Sequence, residues 1–140
     1  MVAQWPAELP QKFMIEGLSE KLSDARLQTN MSYGPPKARR RSSNQMRAIT
    51  AEIPLTYATR ARLDRFWNEE IAGGSLPFTM PDPLYDAAPL LTTDGTPLLT
   101  TGGTPIIIAS YWLAFMAQPP QITTMGAKFM AQINLSVLNK

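Results

Sequence analysis

The chain has 140 residues, 44% of them apolar and 17% charged, with 13 Lys and Arg against 11 Asp and Glu. That is enough for one domain with a hydrophobic core, and it excludes disorder of the whole chain. Cysteine and histidine are absent, which excludes disulfides, thiol catalysis and the usual zinc sites and removes the commonest general base.

No apolar run approaches the roughly 18 residues of a membrane span. The opening "MVAQWPAELPQKF" does not have a basic segment followed by an apolar one, so no secretory leader is expected and the chain reads as a cytoplasmic product. Trp5-Pro6 and Leu9-Pro10 predict an extended arm over residues 1–12, because each proline disfavours helix at the residue before it. Phe13 to Leu27 is read as extended. Leu18 and Leu22 have helical spacing, but Gly17, Ser19 and Ser23 weaken a helix there. From Met46 to Leu55, Ile49, Ala51, Ile53 and Leu55 alternate with Thr50, Glu52 and Pro54, the period of a half-buried strand. Pro54 has no N–H, which places that end at an edge or bulge.

One helix is expected, over about 57–72. Thr56 is its N-cap, Leu63, Phe66, Trp67 and Ile71 form its core face, and Gly73-Gly74 ends it. A short strand follows over Ser75 to Thr79, then a proline-rich loop. Residues 89–108 repeat with a period of eight: "PLLTTDGT", "PLLTTGGT", "PIII". Asp94-Gly95 and Gly102-Gly103 are turn dipeptides between short apolar runs, which predicts an inserted β-hairpin arm over about 87–108. Tyr111 to Ala117 reads as a buried or interface strand, "QPPQITTMG" as loop, and Phe129 to Leu138 as the clearest alternating strand. The class is α+β with a mostly antiparallel sheet and a single domain over 1–140.

Residues that could carry chemistry are few. Lys37 and Ser42 are a base and nucleophile in spacing only. Glu69-Glu70 lies on the polar side of the helix, and Asp82 with Asp86 falls short of a calcium loop's ligand count. No phosphate-binding glycine loop appears, since Gly73-Gly74 stands at the wrong pole of its helix. No enzyme, metal or cofactor is expected. Lys37, Arg39, Arg40, Arg41 and nearby Arg47 could neutralise several phosphates. However, only Tyr33 stands by them as a stacking aromatic, and the chain as a whole is nearly neutral. The alternative is an exposed connecting loop that contacts carboxylates of a partner.

Three stretches occur in order: "WPAELPQ", Thr29 to Arg41 ("TNMSYGPPKARRR") and "FWNEEIAGGSLPFTMPDP". Together with the alternating C-terminal strand they resemble the minor tail proteins of tailed bacteriophages, the lambda-type minor tail protein M group, over most of the chain outside 87–108. The resemblance implies a tail-tube or distal-tail type of fold, a small β-sandwich or split barrel flanked by one helix. It also implies a structural ring, a hexamer above all, at the distal end of the tail tube. Such a ring joins the tube to the tip or baseplate hub and leaves a lumen for the tape-measure protein and, transiently, DNA. The implied partners are tube, hub, tip and tape-measure proteins, with no membrane, and the implied location is the virion tail after synthesis in the bacterial cytoplasm.

On that reading Trp5, Lys37, Arg39, Arg40 and Arg41 face a neighbouring subunit, because arginines lining a DNA channel would brake ejection. Leu90, Leu91, Leu98 and Leu99 of the repeat are further interface residues. Two other readings stand beside this one: a connector or terminator ring at the head end of the tail, and a small nucleic-acid-binding module that uses 37–41.

Overall fold

The computed structural model describes residues 1–138. Its frame is one long antiparallel pair. Strand β5 (Met46–Leu55) lies against β9 (Lys128–Leu138) along its whole length, from Met46 opposite Leu138 to Leu55 opposite Phe129. The period-two pattern in both strands puts Ile49, Ala51, Ile53 and Leu55 on the same face as Phe129, Ala131, Ile133, Leu135 and Val137, all buried. Pro54 lies in the half of β5 whose outer edge has no strand beside it, since β2 (Ser19–Leu22) pairs only with Arg47 to Thr50. The missing N–H therefore costs no ladder bond on that side.

The sheet extends from β9 in the other direction. Its order is β1 (Ala3–Gln4), β6 (Phe78–Pro81), β7 (Tyr111–Met116), β9, β5, β2. A further strand, β8 (Gln121–Met125), runs beside the first half of β9, and β7 runs beside its second half. Among the described residues only the β1–β6 pair is parallel. The expected loop "QPPQITTMG" thus contains a strand. It folds back through Gly126-Ala127, with Gly126 at φ 61° supplying the left-handed residue that a two-residue hairpin turn requires.

The helix α1 (Tyr57–Arg65) starts on a reciprocal cap. The Thr56 hydroxyl accepts from the Thr59 N–H, and the Thr59 hydroxyl accepts from the Thr56 N–H at 2.7 Å. It continues as a π-helical turn over Phe66–Glu70, closed by the Ile71 N–H donating to the Phe66 carbonyl at 3.1 Å. The wide turn brings Phe66 and Ile71, five residues apart, onto one face, and both are fully buried with Leu63. Trp67 is partly buried against the same core. Regular α-helix is therefore shorter than the 57–72 expected, and the following strand begins at Phe78, later than expected.

The class is α+β, with one helix beside a mixed sheet. The expected sandwich or split barrel is not reached in its closed form: the sheet runs from β1 to β2 without closing. The second sheet, β3 (Arg26–Gln28) with β4 (Ala38–Arg40), is exposed at every residue and adds no core layer. One core cluster unites the N-terminal segment, the helix and the large sheet. The N-terminal arm is also corrected. Residues 3–4 join the sheet, and Trp5, Leu9 and Phe13 are buried in the chain's own core, because a large aromatic ring gains more from this ready apolar cleft than from solvent.

Candidate functional site

Two features project from this body. The first is the β3–β4 arm. The basic residues expected in a connecting loop belong mostly to strand β4, where Ala38, Arg39 and Arg40 stand opposite Gln28, Leu27 and Arg26. Ala25 is the last buried residue before the arm, and the connecting tip carries Tyr33, 96% exposed, and Met31. Arg26 faces Arg40 directly, a like-charge opposition that would weaken the ladder. It is relieved locally, because the Asp24 carboxylate takes two bonds from the Arg26 guanidinium at 2.9 and 3.0 Å. These bonds hold the Asp24 carboxyl below the usual carboxylate value. The Arg40 guanidinium turns back to the Ser42 and Ser43 carbonyls at 3.0 and 2.8 Å. Among the described residues, Lys37, Arg39 and Arg41 have no carboxylate within ion-pair distance.

The second feature is the octad repeat, which is not one hairpin but a three-limbed knob. The Leu98 N–H donates to the Leu90 carbonyl, the Ile106 N–H to the Leu98 carbonyl and the Leu90 N–H to the Ile106 carbonyl, at 2.8 to 2.9 Å. The second position of each copy thus bonds to the second position of the next, and the ring closes on itself. Bridges between Leu91 and Pro97, Leu99 and Pro105, and Pro89 and Ile107 repeat the same relation. The half-length third copy supplies only a limb, and that is all the closure needs.

Each turn between limbs has the same construction. The Thr92 and Thr96 hydroxyls meet at 2.7 Å, the Thr100 and Thr104 hydroxyls at 2.6 Å, and Gly95 and Gly103 take φ near +80°. The limbs are too short to build a core of their own, so their aliphatic side chains remain at the surface. The third-position residues Leu91, Leu99 and Ile107 are 53%, 56% and 62% exposed. Leu90, Leu98, Ile106 and Ile108 are also exposed. Leu90, Leu91, Leu98 and Leu99, expected at an interface, are joined on this surface by Ile106, Ile107 and Ile108. The signal for them was the third proline, at the same period as the first two.

The knob is anchored by two carboxylates. Buried Asp82 accepts from the Leu84 and Tyr85 N–H groups at 2.8 and 3.2 Å and from the Ser110 hydroxyl at 3.2 Å. Asp86 accepts from the Ser110 N–H at 3.0 Å. These two acids therefore organise the entry and exit of the insertion. The other residues considered for chemistry are likewise engaged locally. The Ser42 hydroxyl donates to the Asn44 carbonyl at 2.8 Å. Glu69 pairs with Arg65 at 2.9 Å, and Glu70 with Arg62 at 2.7 Å. Arg47 pairs with Glu20 at 2.7 Å and lies over the Trp112 ring at 5.7 Å, which holds it to the body and away from the arm. Trp5, expected as an interface anchor, is only 5% exposed. Among the described residues no group of three metal-ligating side chains comes together, and no helix is long and apolar enough to cross a membrane.

No protein-family model and no curated protein matches this chain. The knob and the arm are thus its candidate functional surfaces on geometry alone. One offers aliphatic area and the other positive charge, and neither has the enclosed, convergent polar groups of a small-molecule site.

Proposed function

We propose that the protein is a structural subunit of a bacteriophage tail, forming a ring at the distal end of the tail tube. The observation that carries this reading is the knob: a closed, hydrogen-bonded scaffold that holds seven large aliphatic side chains at the surface. Exposed apolar area of this kind marks a protein contact, and rigid presentation lowers the ordering cost of making one. The ordered stretches that resemble minor tail proteins support the same assignment. The body, with its long antiparallel pair and single helix, is in this reading an open variant of the tail-tube type of module. Its partners are further copies of itself, the tube, the tip or hub proteins and the tape-measure protein, and its role is architectural, not enzymatic.

The test is assembly. The purified chain, alone and co-expressed with candidate tube and tip proteins, is examined by sedimentation and electron microscopy. Rings or tail-incorporated subunits are expected. Replacing residues 89–108 by a short Gly-Ser link, which Ala88 and Ala109 allow because the Ile108 N–H already bonds the Ala88 carbonyl at 2.8 Å, should preserve the fold and abolish incorporation. A protein that stays monomeric with every tail partner would overturn the reading, and assembly at the head end would move the ring to the connector.

A further inference from the structure

Of the chain's 13 Lys and Arg and 11 Asp and Glu, five cations and one carboxylate fall between Asp24 and Ser43, leaving eight cations and ten carboxylates elsewhere. The arm is thus strongly basic, and the rest of the molecule is net acidic. Within the arm the one carboxylate is spent on Arg26, and Lys37, Arg39 and Arg41 stand unpaired among the described residues.

The body has a matching vacancy. Glu52 lies on the face of β5 turned away from the core, and Gly17 packs directly on it: a Cβ on Gly17 would lie 3.0 Å from the Glu52 carboxyl carbon. Glu16, the residue before Gly17, is exposed. Neither glutamate has an ion-pair partner among the described residues. The arm joins β5 at its Met46 end, whereas Glu52 is six residues further along, about 20 Å at the rise of a strand. Basic and acidic surfaces therefore lie toward opposite ends of the same long strand, and the arm leads away from the body.

We infer that the arm is the docking element between copies of this chain: Lys37, Arg39 and Arg41 of one copy meet Glu16 and Glu52 of the next. This deepens the ring proposed above and rests on it. A contact between two different patches of one molecule is head-to-tail, and it closes into a ring when the rotation allows. The composition of the arm favours a protein partner over nucleic acid. Its cations are interleaved along the chain with Leu27, Met31, Tyr33 and Ala38, and Leu27 stands opposite Arg39 in the ladder, so the arm offers apolar and charged contact groups together, as protein interfaces do. A single-stranded nucleic-acid platform would call for several stacking aromatics, and Tyr33 is the one aromatic between Asp24 and Ser43.

The experiment is a charge swap in the full chain, read by sedimentation across a concentration and salt series, with circular dichroism as the folding control. R39E/R41E should fold normally, because both residues are exposed, and should self-associate roughly tenfold more weakly or worse. E16K/E52K should do the same. An equimolar mixture of the two variants should recover association in alternating order, because the acidic arm of one meets the basic patch of the other and the unaltered arm and patch meet at the next contact. The combined variant R39E/R41E/E16K/E52K should recover it alone. Association in the wild type should weaken with salt. Rings from R39E/R41E at wild-type strength would overturn the arm contact while leaving the ring intact. Failure of the combined variant to recover would overturn the assignment of Glu16 and Glu52. A wild type that remains monomeric would overturn both ring and contact. Salt-dependent retardation of duplex DNA by the wild type, lost in R39E/R41E, would assign the arm to nucleic acid instead.

Discussion

The indole of Trp5 stacks on the ring of Phe78, with centroids 5.9 Å apart and planes 29° from parallel. Phe66 meets both rings edge-on, at 5.5 Å from Trp5 and 5.3 Å from Phe78. The N-terminal segment, the π turn and β6 are thereby joined by one aromatic cluster, and the Trp5 backbone N–H adds a bond to the Thr79 carbonyl at 2.8 Å. Trp5→Ala should destabilise the protein by about 3–5 kcal/mol, the usual cost of emptying a buried aromatic site. Urea or guanidinium unfolding measures it. A loss below about 1 kcal/mol would show that the segment is not part of the cooperative core.

Gly73 and Gly74 separate two costs at adjacent positions. Both have positive φ, 66° and 86°. A Cβ at Gly73 meets nothing within 4 Å, whereas one at Gly74 would lie 2.7 Å from the Trp67 ring and 3.3 Å from the Met116 carbonyl oxygen. Gly73→Ala should cost about 1 kcal/mol, the conformational penalty alone. Gly74→Ala should cost clearly more, because Trp67 must also move. Thermal melts of the two variants compare them, and equal losses would contradict the packing described for Trp67.

Asp82 is a buried carboxylate whose three accepted bonds hold residues 84–85 to Ser110. Asp82→Ala should lose about 1–3 kcal/mol by leaving those donors without partners. Its effect should be local as well as global, with amide hydrogen exchange speeding at Leu84 and Tyr85 ahead of the β5–β9 pair. Unchanged exchange at those two amides would rule out the anchoring role.

Asp24 carries a pH prediction confined to the arm. Its pKa is depressed from the ordinary 3.8 by hydrogen bonds from Arg26. A depressed folded value means that the pairing is fully present above the ordinary carboxylate pKa and is lost as pH falls through the lower folded one. A carboxylate titration by NMR should therefore place Asp24 below 3.8. Arg26→Ala should raise it toward the ordinary value without full return, because the backbone N–H of residue 26 still donates to the carboxylate at 3.0 Å. Because the pair is fully exposed, global stability should be insensitive to it.

Local patterns were legible in the residues. The alternation of 46–55 and of 129–138 and the Thr56 cap each depend on neighbours a few positions apart, and each is present in the fold. The helical turns, by contrast, stop before Gly73-Gly74, with Ile71 as the cap and Ala72 the first left-handed residue at φ 48°. Elements whose form depends on distant partners were not legible. Strand β8 has β-branched Ile122, Thr123 and Thr124 but no apolar alternation, and it follows two prolines, so its own signal is weak. It exists because β9 offers a long free edge beside a tight turn. Likewise, a proline-bound Trp5 looks like a free anchor until the cleft between Phe66 and Phe78 is present to receive it.

The candidate surfaces divide in the same way. The positions of the charge and the repeat follow from composition and period, which are properties of the chain. What they become depends on the segments that folding brings beside them. Three copies closed by mutual hydrogen bonds make a knob where two would make a hairpin. Pairing with Arg26–Gln28 turns a basic loop into a projecting strand. The physical reason is that backbone hydrogen bonds must be satisfied by whichever segment reaches them, and reach is set by the whole fold.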